Sequence, residues 1–266
     1  MKSFLTASLF VLALPAALAV PPPPEQLGAD CENPVYASDQ LVCATPSLRA
    51  LDNRVAALAA RDEARLDAHM ACFRASRRCA FEAGHAACLQ AAYCAQLALL
   101  DRAGADWPAE CVADANSYIP AKRLSRAGFA RDAREAERLD GREIALAGFV
   151  DHGNLFGDAG AREILGDWWG GPGPDADHWR FDLKARPDDP VGHSFTVVVP
   201  NGPVREALLM VFRADAEAGR PTPVFLRGIV STFDAPVNAV RMTGLRVALR
   251  SASDIRLGPA LKPSKG

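Results

Sequence analysis

Residues His178–Lys184 read HWRFDLK. Apolar and charged side chains alternate one for one, with Trp179, Phe181 and Leu183 on one side and Arg180, Asp182 and Lys184 on the other. A period of two marks a strand with one face on a core. The same kind of segment recurs at 143–150 (EIALAGFV), 193–199 (HSFTVVV), 224–230 (VFLRGIV) and 244–250 (GLRVALR). The last of these puts Leu245, Val247 and Leu249 inward. Between the third and fourth strands, residues 203–217 (PVREALLMVFRADAE) read as a helix with Pro203 in its first turn. Gly148 and Gly228 lie inside the first and fourth strands, where a missing Cβ lets a sheet coil.

Three strands, a helix and two strands, with those glycines, resemble the OB fold, a closed five-stranded barrel. Another small five-stranded barrel or an open α+β sheet is the alternative. The resemblance implies a ligand lying across the second and third strands, flanked by the loops between strands one and two and between strands four and five. The first loop, residues 152–177, is long and holds Trp168-Trp169-Gly170-Gly171-Pro172-Gly173-Pro174. The second, residues 232–241, holds Asn238 and Arg241. Arg180 and Lys184 would face out between the loops. The candidate ligand-binding residues are therefore Trp168, Trp169, Arg180, Lys184, Asn238 and Arg241. Paired tryptophans near an arginine suit stacking on a sugar, a base or a peptide. The competing reading has one tryptophan capping the barrel's open end and the other packing beneath the loop, as large aromatics mostly do.

The chain opens Met1-Lys2-Ser3 and runs apolar from Phe4 to Leu18, and Ala17-Leu18-Ala19 supplies a small-residue cleavage pattern. Residues 1–19 thus read as a secretory signal, and 20–30, with Pro21 to Pro24, as a stiff leader. No later stretch is apolar over the length a membrane helix needs. All seven cysteines fall between Cys31 and Cys111, which sets off a cysteine-bearing domain at 31–112 from a barrel at 120–258 and a tail at 259–266. Exported cysteines commonly staple a domain whose core is thin. Two pairings are natural: Cys31 with Cys43 across a short loop, and Cys79 with Cys88 across the turn of a helical hairpin. A further rung, Cys72 to Cys94, needs Cys88 outside the regular helix, and leaves Cys111 as the odd thiol. Leu48, Leu51, Val55 and Leu58 form an amphipathic stripe in a helix over 47–61 behind Thr45-Pro46. A second helix runs to about Arg78 and is broken at Gly84. A third covers about 86–100. His69, Cys72, Cys79, His85 and Cys88 form an alternative zinc set, which lacks a Cys-x-x-Cys pair.

Residues 31–52 read CENPVYASDQLVCATPSLRALD, and 77–101 read RRCAFEAGHAACLQAAYCAQLALLD. Together they resemble the LprI-type lysozyme-inhibitor family over the first third of the chain, through Cys31, Cys43, Leu51, Asp52, Cys79, Cys88, Leu89 and Tyr93. Gln96 stands where that family carries an arginine, and Cys72 roughly where it carries a tryptophan. The resemblance implies a small disulfide-stapled helical unit and a lysozyme as partner.

The fold class expected is therefore two domains, a disulfide-stapled all-α unit followed by an all-β OB-like barrel with one helix. Net charge is −2, and from Val112 onward 21 basic residues face 20 acidic ones, so the basic footprint of a nucleic-acid binder is missing. No Gly-x-Ser-x-Gly, His-Glu-x-x-His, P-loop or Cys-x-x-Cys-His pattern occurs, and neither a catalytic residue, a metal ligand nor a cofactor is implied. The expectation is an exported envelope binding protein, periplasmic or else extracellular and lysozyme-inhibitor-like. The alternatives are an OB-type module for a ligand, glycan or peptide with a structural helical domain, and an assembly protein dimerising through Cys111.

Overall fold

A computed structural model describes residues 26–101, 107–125, 133–156, 177–190, 194–237 and 240–259. The helical unit is built from α1 (Ala37–Ala44), α2 (Pro46–Ala59), α3 (Glu63–Ser76) and α4 (His85–Leu100), with a 3-10 turn at Arg77–Phe81. Its start signals are local. Pro46 occupies the first turn of α2, and the Asp62 carboxylate caps α3 by accepting from the Arg65 amide. The stripe read at Leu48, Leu51, Val55 and Leu58 is the buried face of α2. Helix α4 (HAACLQAAYCAQLALL) carries no Asp, Glu, Lys or Arg and buries eleven of its residues. A helix that is apolar all round needs neighbours all round. Here α2 and α3 lie against it from its own unit, and α7 (Arg205–Glu217) and a short strand, β7 (Ile255–Leu257), from the barrel.

Two short helices, α5 (Lys122–Ser125) and α6 (Ala133–Leu139), precede the barrel. Five strands close it: β2 (Glu143–Phe156), β3 (His178–Lys184), β4 (Ser194–Pro200), β5 (Pro223–Val237) and β6 (Val240–Ala248). They run in the order β2–β3–β4–β6–β5 and return to β2. Every pairing is antiparallel except β4 with β6. Helix α7 connects β4 to β5, so the barrel is OB-like. Strand β1 (Ile119–Pro120) adds parallel to β2, and β7 adds antiparallel to β5. Trp179, Phe181 and Leu183 pair with Val199, Val197 and Phe195 and fill the interior. Phe212 of α7 meets this layer, its ring centroid 5.4 Å from that of Phe181 and 6.3 Å from that of Trp179. Gly148 and Gly228 allow the close approach that closure needs. A Cβ at Gly148 would lie 2.7 Å from the Lys184 carbonyl oxygen, and one at Gly228 2.8 Å from that of Ala248.

Three disulfides form: Cys31–Cys43, Cys79–Cys88 and Cys94–Cys111. The third corrects two expectations. Cys94 does not pair with Cys72, and Cys111 is not the odd thiol. Cys88 stays inside α4, while the chain beyond α4 returns in a 3-10 turn at Ala109–Cys111 and places Cys111 beside Cys94. Cys111 is 1% exposed, so it is closed to a second chain and the dimer through it is ruled out. The free cysteine is Cys72, on the barrel side of α3, with its Sγ 3.7 Å from Met210 Sδ of α7. The buried apolar residues of both units form one continuous cluster across this seam.

Burial, and secondarily the Glu206 charge, push the Cys72 thiol up to about 12. The native protein should therefore give no reaction with an aromatic disulfide reagent at pH 7. One thiol should appear on denaturation without reductant. A titratable thiol in the native state would show that the seam between α3 and α7 is open.

Candidate functional site

The side of β3 and β4 turned away from the barrel interior carries Arg180, Asp182, Lys184, Ser194 and Thr196. The alternation placed Arg180 and Lys184 on this side as outward ligand contacts, but neither is presented to solvent. Arg180 is buried, and the Lys184 ammonium is 3.0 Å from Asp151 Oδ1 of β2. Asp151 and Asp182 are partners in the β2–β3 register and flank one hydroxyl: Ser194 Oγ is 3.3 Å from Asp151 Oδ2 and 3.2 Å from Asp182 Oδ2. Asp182 Oδ1 accepts from the Thr196 hydroxyl at 2.9 Å. The register of β2 shifts between Asp151 and Leu155, and His152, next along the strand from Asp151, lies on its opposite side. Its Nε2 donates to Thr222 Oγ1 at 2.9 Å, because that hydroxyl spends its own proton on Asp215 Oδ2 at 2.8 Å. Burial lowers the His152 pKa, against the nearby charges of Asp215 and Asp151. The other barrel candidates give no side-chain geometry. Trp168, Trp169 and Asn238 lie outside the described residues, and Arg241 is placed in β6 by its backbone.

In the helical unit, Leu51, Asp52, Cys79, Cys88, Leu89 and Tyr93, which carry most of the lysozyme-inhibitor resemblance, are buried. Tyr93 Oη donates to Asp52 Oδ1 at 2.9 Å, and Asp52 Oδ2 accepts from the Ala29 amide at 2.9 Å. His69 meets the Leu27 carbonyl at 2.8 Å and Gln96 Oε1 at 3.0 Å. Arg77 donates to Gln26 Oε1 at 2.6 Å and stacks over the Tyr36 and Phe73 rings. Together these side chains strap residues 26–30 across the helices. They also dismantle the zinc set. His69 is spent on the strap, Cys79 and Cys88 are in a disulfide, and Cys72 faces Met210.

What the helical unit does present is the loop between Cys79 and Cys88. Both cysteines are buried, yet every residue from Phe81 to Ala87 is exposed. Phe81 is 87% exposed, the most of any large apolar side chain among the described residues. The loop is held at its base by the disulfide, by the Glu82 amide on the Cys79 carbonyl at 3.1 Å and by the Cys88 amide on the Gly84 carbonyl at 2.9 Å. Beside it, Arg78, Phe81 and Glu82 face Asn201, Gly202 and Pro203 of the turn after β4 across a groove of about 420 Å³. The site is thus composite, one wall from each unit. The sequence reading missed it, although an aromatic between two close cysteines in CAFEAGHAAC was a visible signal.

Comparison of the chain with protein families, with curated proteins and with solved structures finds no match. The function must be argued from this geometry.

Burial raises the Asp52 pKa against the bonds from Ala29 and Tyr93 that favour its charge. Tyr93→Phe removes one of those bonds from a closed site. It should cost about 1–3 kcal/mol in urea unfolding at pH 7. An unchanged midpoint would mean that the Tyr93–Asp52 bond carries no stability.

Proposed function

We propose that the protein is an exported binding protein of the cell envelope that holds a partner protein through the Cys79–Cys88 loop, with Phe81 as the anchor. The observation that carries this reading is the 87% exposure of Phe81 on a loop fixed at both ends. Aromatic anchors supply much of the energy of protein interfaces, and a loop already held in shape loses little entropy on binding. An interface of ordinary size buries on the order of 1,600 Å² in total. The loop alone is too small for that, so the walls of the adjoining groove, including the turn at Asn201 to Pro203, belong to the same footprint. Three disulfides suit an oxidising compartment, in keeping with the secretory signal read at residues 1–19. Among the described residues no helix is long and apolar enough to cross a membrane. The resemblance to LprI-type inhibitors suggests a lysozyme as the first partner to test. The small-ligand reading of the barrel has less support, since Arg180 is buried and Lys184 is paired.

The test is calorimetry of the oxidised protein with a chicken-type lysozyme, beside Phe81→Ala. Saturable one-to-one binding is expected, weakened at least tenfold by Phe81→Ala. The thermal midpoint should not move, because an exposed side chain contributes little to the fold. Wild-type binding that survives Phe81→Ala would move the interface elsewhere. No binding at tens of micromolar would remove lysozyme as the partner.

A further inference from the structure

The cluster around Ser194 is one proton short if all its acids are ionised. A serine hydroxyl has a single hydrogen, yet Ser194 Oγ lies within hydrogen-bond distance of carboxylate oxygens from both Asp151 and Asp182. With both carboxylates charged, one of these contacts sets an oxygen lone pair against an oxygen lone pair. One added proton completes the chain. Asp182 Oδ2–H donates to Ser194 Oγ, Ser194 Oγ–H donates to Asp151 Oδ2, and Lys184 and the Gly153 amide serve Asp151 Oδ1 at 3.0 and 3.1 Å. The surroundings decide which acid holds it. Asp151 has the lysine against it. Asp182 keeps the Thr196 hydroxyl as donor and the charge of Arg180 nearby, in a site where burial is the largest influence and raises its pKa above the ordinary 3.8.

We propose that Asp151, Ser194 and Asp182 form a proton-operated clasp that fastens the bulged end of β2 to β3 and β4 when protonated and loosens when the proton leaves. Among the described residues, the groups about it are Arg180 and Lys184 from β3, Thr196 from β4 and Arg246 of β6 in register with Thr196, while His152 of β2 lies on the opposite side of its strand. Arg246 donates from Nε to Ser231 Oγ at 2.8 Å. Asp215 of α7, paired with Arg220 at 3.1 Å, stands behind His152. The exchanged proton comes from solvent, and nothing else is transferred.

The sign follows from linkage. An acid whose folded pKa is raised stabilises the fold fully below its unfolded value, and that contribution is lost as pH rises through the folded value. Asp182→Asn supplies the missing hydrogen permanently, since its amide can donate to Ser194 while its oxygen accepts from Thr196. The experiment compares thermal midpoints of the full-length wild type and Asp182→Asn from pH 4 to pH 8. The two should converge at the acid end. Toward neutral pH, Asp182→Asn should gain about 3–6 °C, the shift that a tenfold change in the folding equilibrium gives a chain of this size. Hydrogen exchange at Gly153 should quicken with pH, beyond the intrinsic rate, in the wild type and not in the variant. Equal midpoints at every pH, or a variant less stable at neutral pH, would overturn the proposal. A carboxyl NMR titration of wild-type Asp182 decides the matter even if the variant does not fold. A signal still protonated above pH 3.8 supports the clasp, and one already ionised there refutes it.

Discussion

The helical unit is arranged around a helix that, beyond its exposed first turn, has almost no outside. The central helix α4 buries Leu89, Tyr93, Gln96, Leu97 and Leu100 together with its alanines, and two of the three disulfides end on it, at Cys88 and Cys94. Tyr93 and Gln96 are also the residues through which it grips Asp52 and His69. The alanines let neighbours come close. The cost is that no face can be left to water. The barrel, through α7 and β7, supplies the cover that α2 and α3 cannot. This explains why a unit that looks self-contained by its cysteines shares one core with the domain after it.

The barrel was the more legible half. HWRFDLK announces both a strand and its inner face, and the interior at Trp179, Phe181 and Leu183 follows that alternation residue by residue. Strand lengths were underestimated at β2 and β5, because Asp151-His152-Gly153 and Ser231-Thr232 lack the apolar alternation that marks a strand in a sequence. Helix α1 (ASDQLVCA) was missed for a related reason, since eight residues give too little periodicity. The stripe of α2 was plain. The neighbours of α4 were not, since a helix that is apolar on every side does not say which side faces what. The Cys94 error has the same root. A rung from Cys72 to Cys94 suits the helices as read from the sequence, but no local pattern tells where Cys111 comes to lie.

The functional surfaces were the least legible. A period of two says which side of a strand a residue occupies, not whether that side is wet. Arg180 and Lys184 lie on the side predicted, yet Arg180 is buried and Lys184 is drawn to Asp151 of the neighbouring strand. Conversely, Phe81 is a large apolar residue that lies on the surface, in the loop closed by the Cys79–Cys88 disulfide. Both reversals are tertiary facts.

The seam at Cys72 also makes one half of the chain answerable for the other. In chain order the helices and all seven cysteines come before any strand of the barrel. Without the barrel, the side of α4 that α7 and β7 cover lies open, and the Cys72 thiol has no Met210 to lie against. Three disulfides close within the helical unit, yet its seventh cysteine is shut away only by the other half. A lone thiol in the N-terminal half thus reports on whether the C-terminal half is in place.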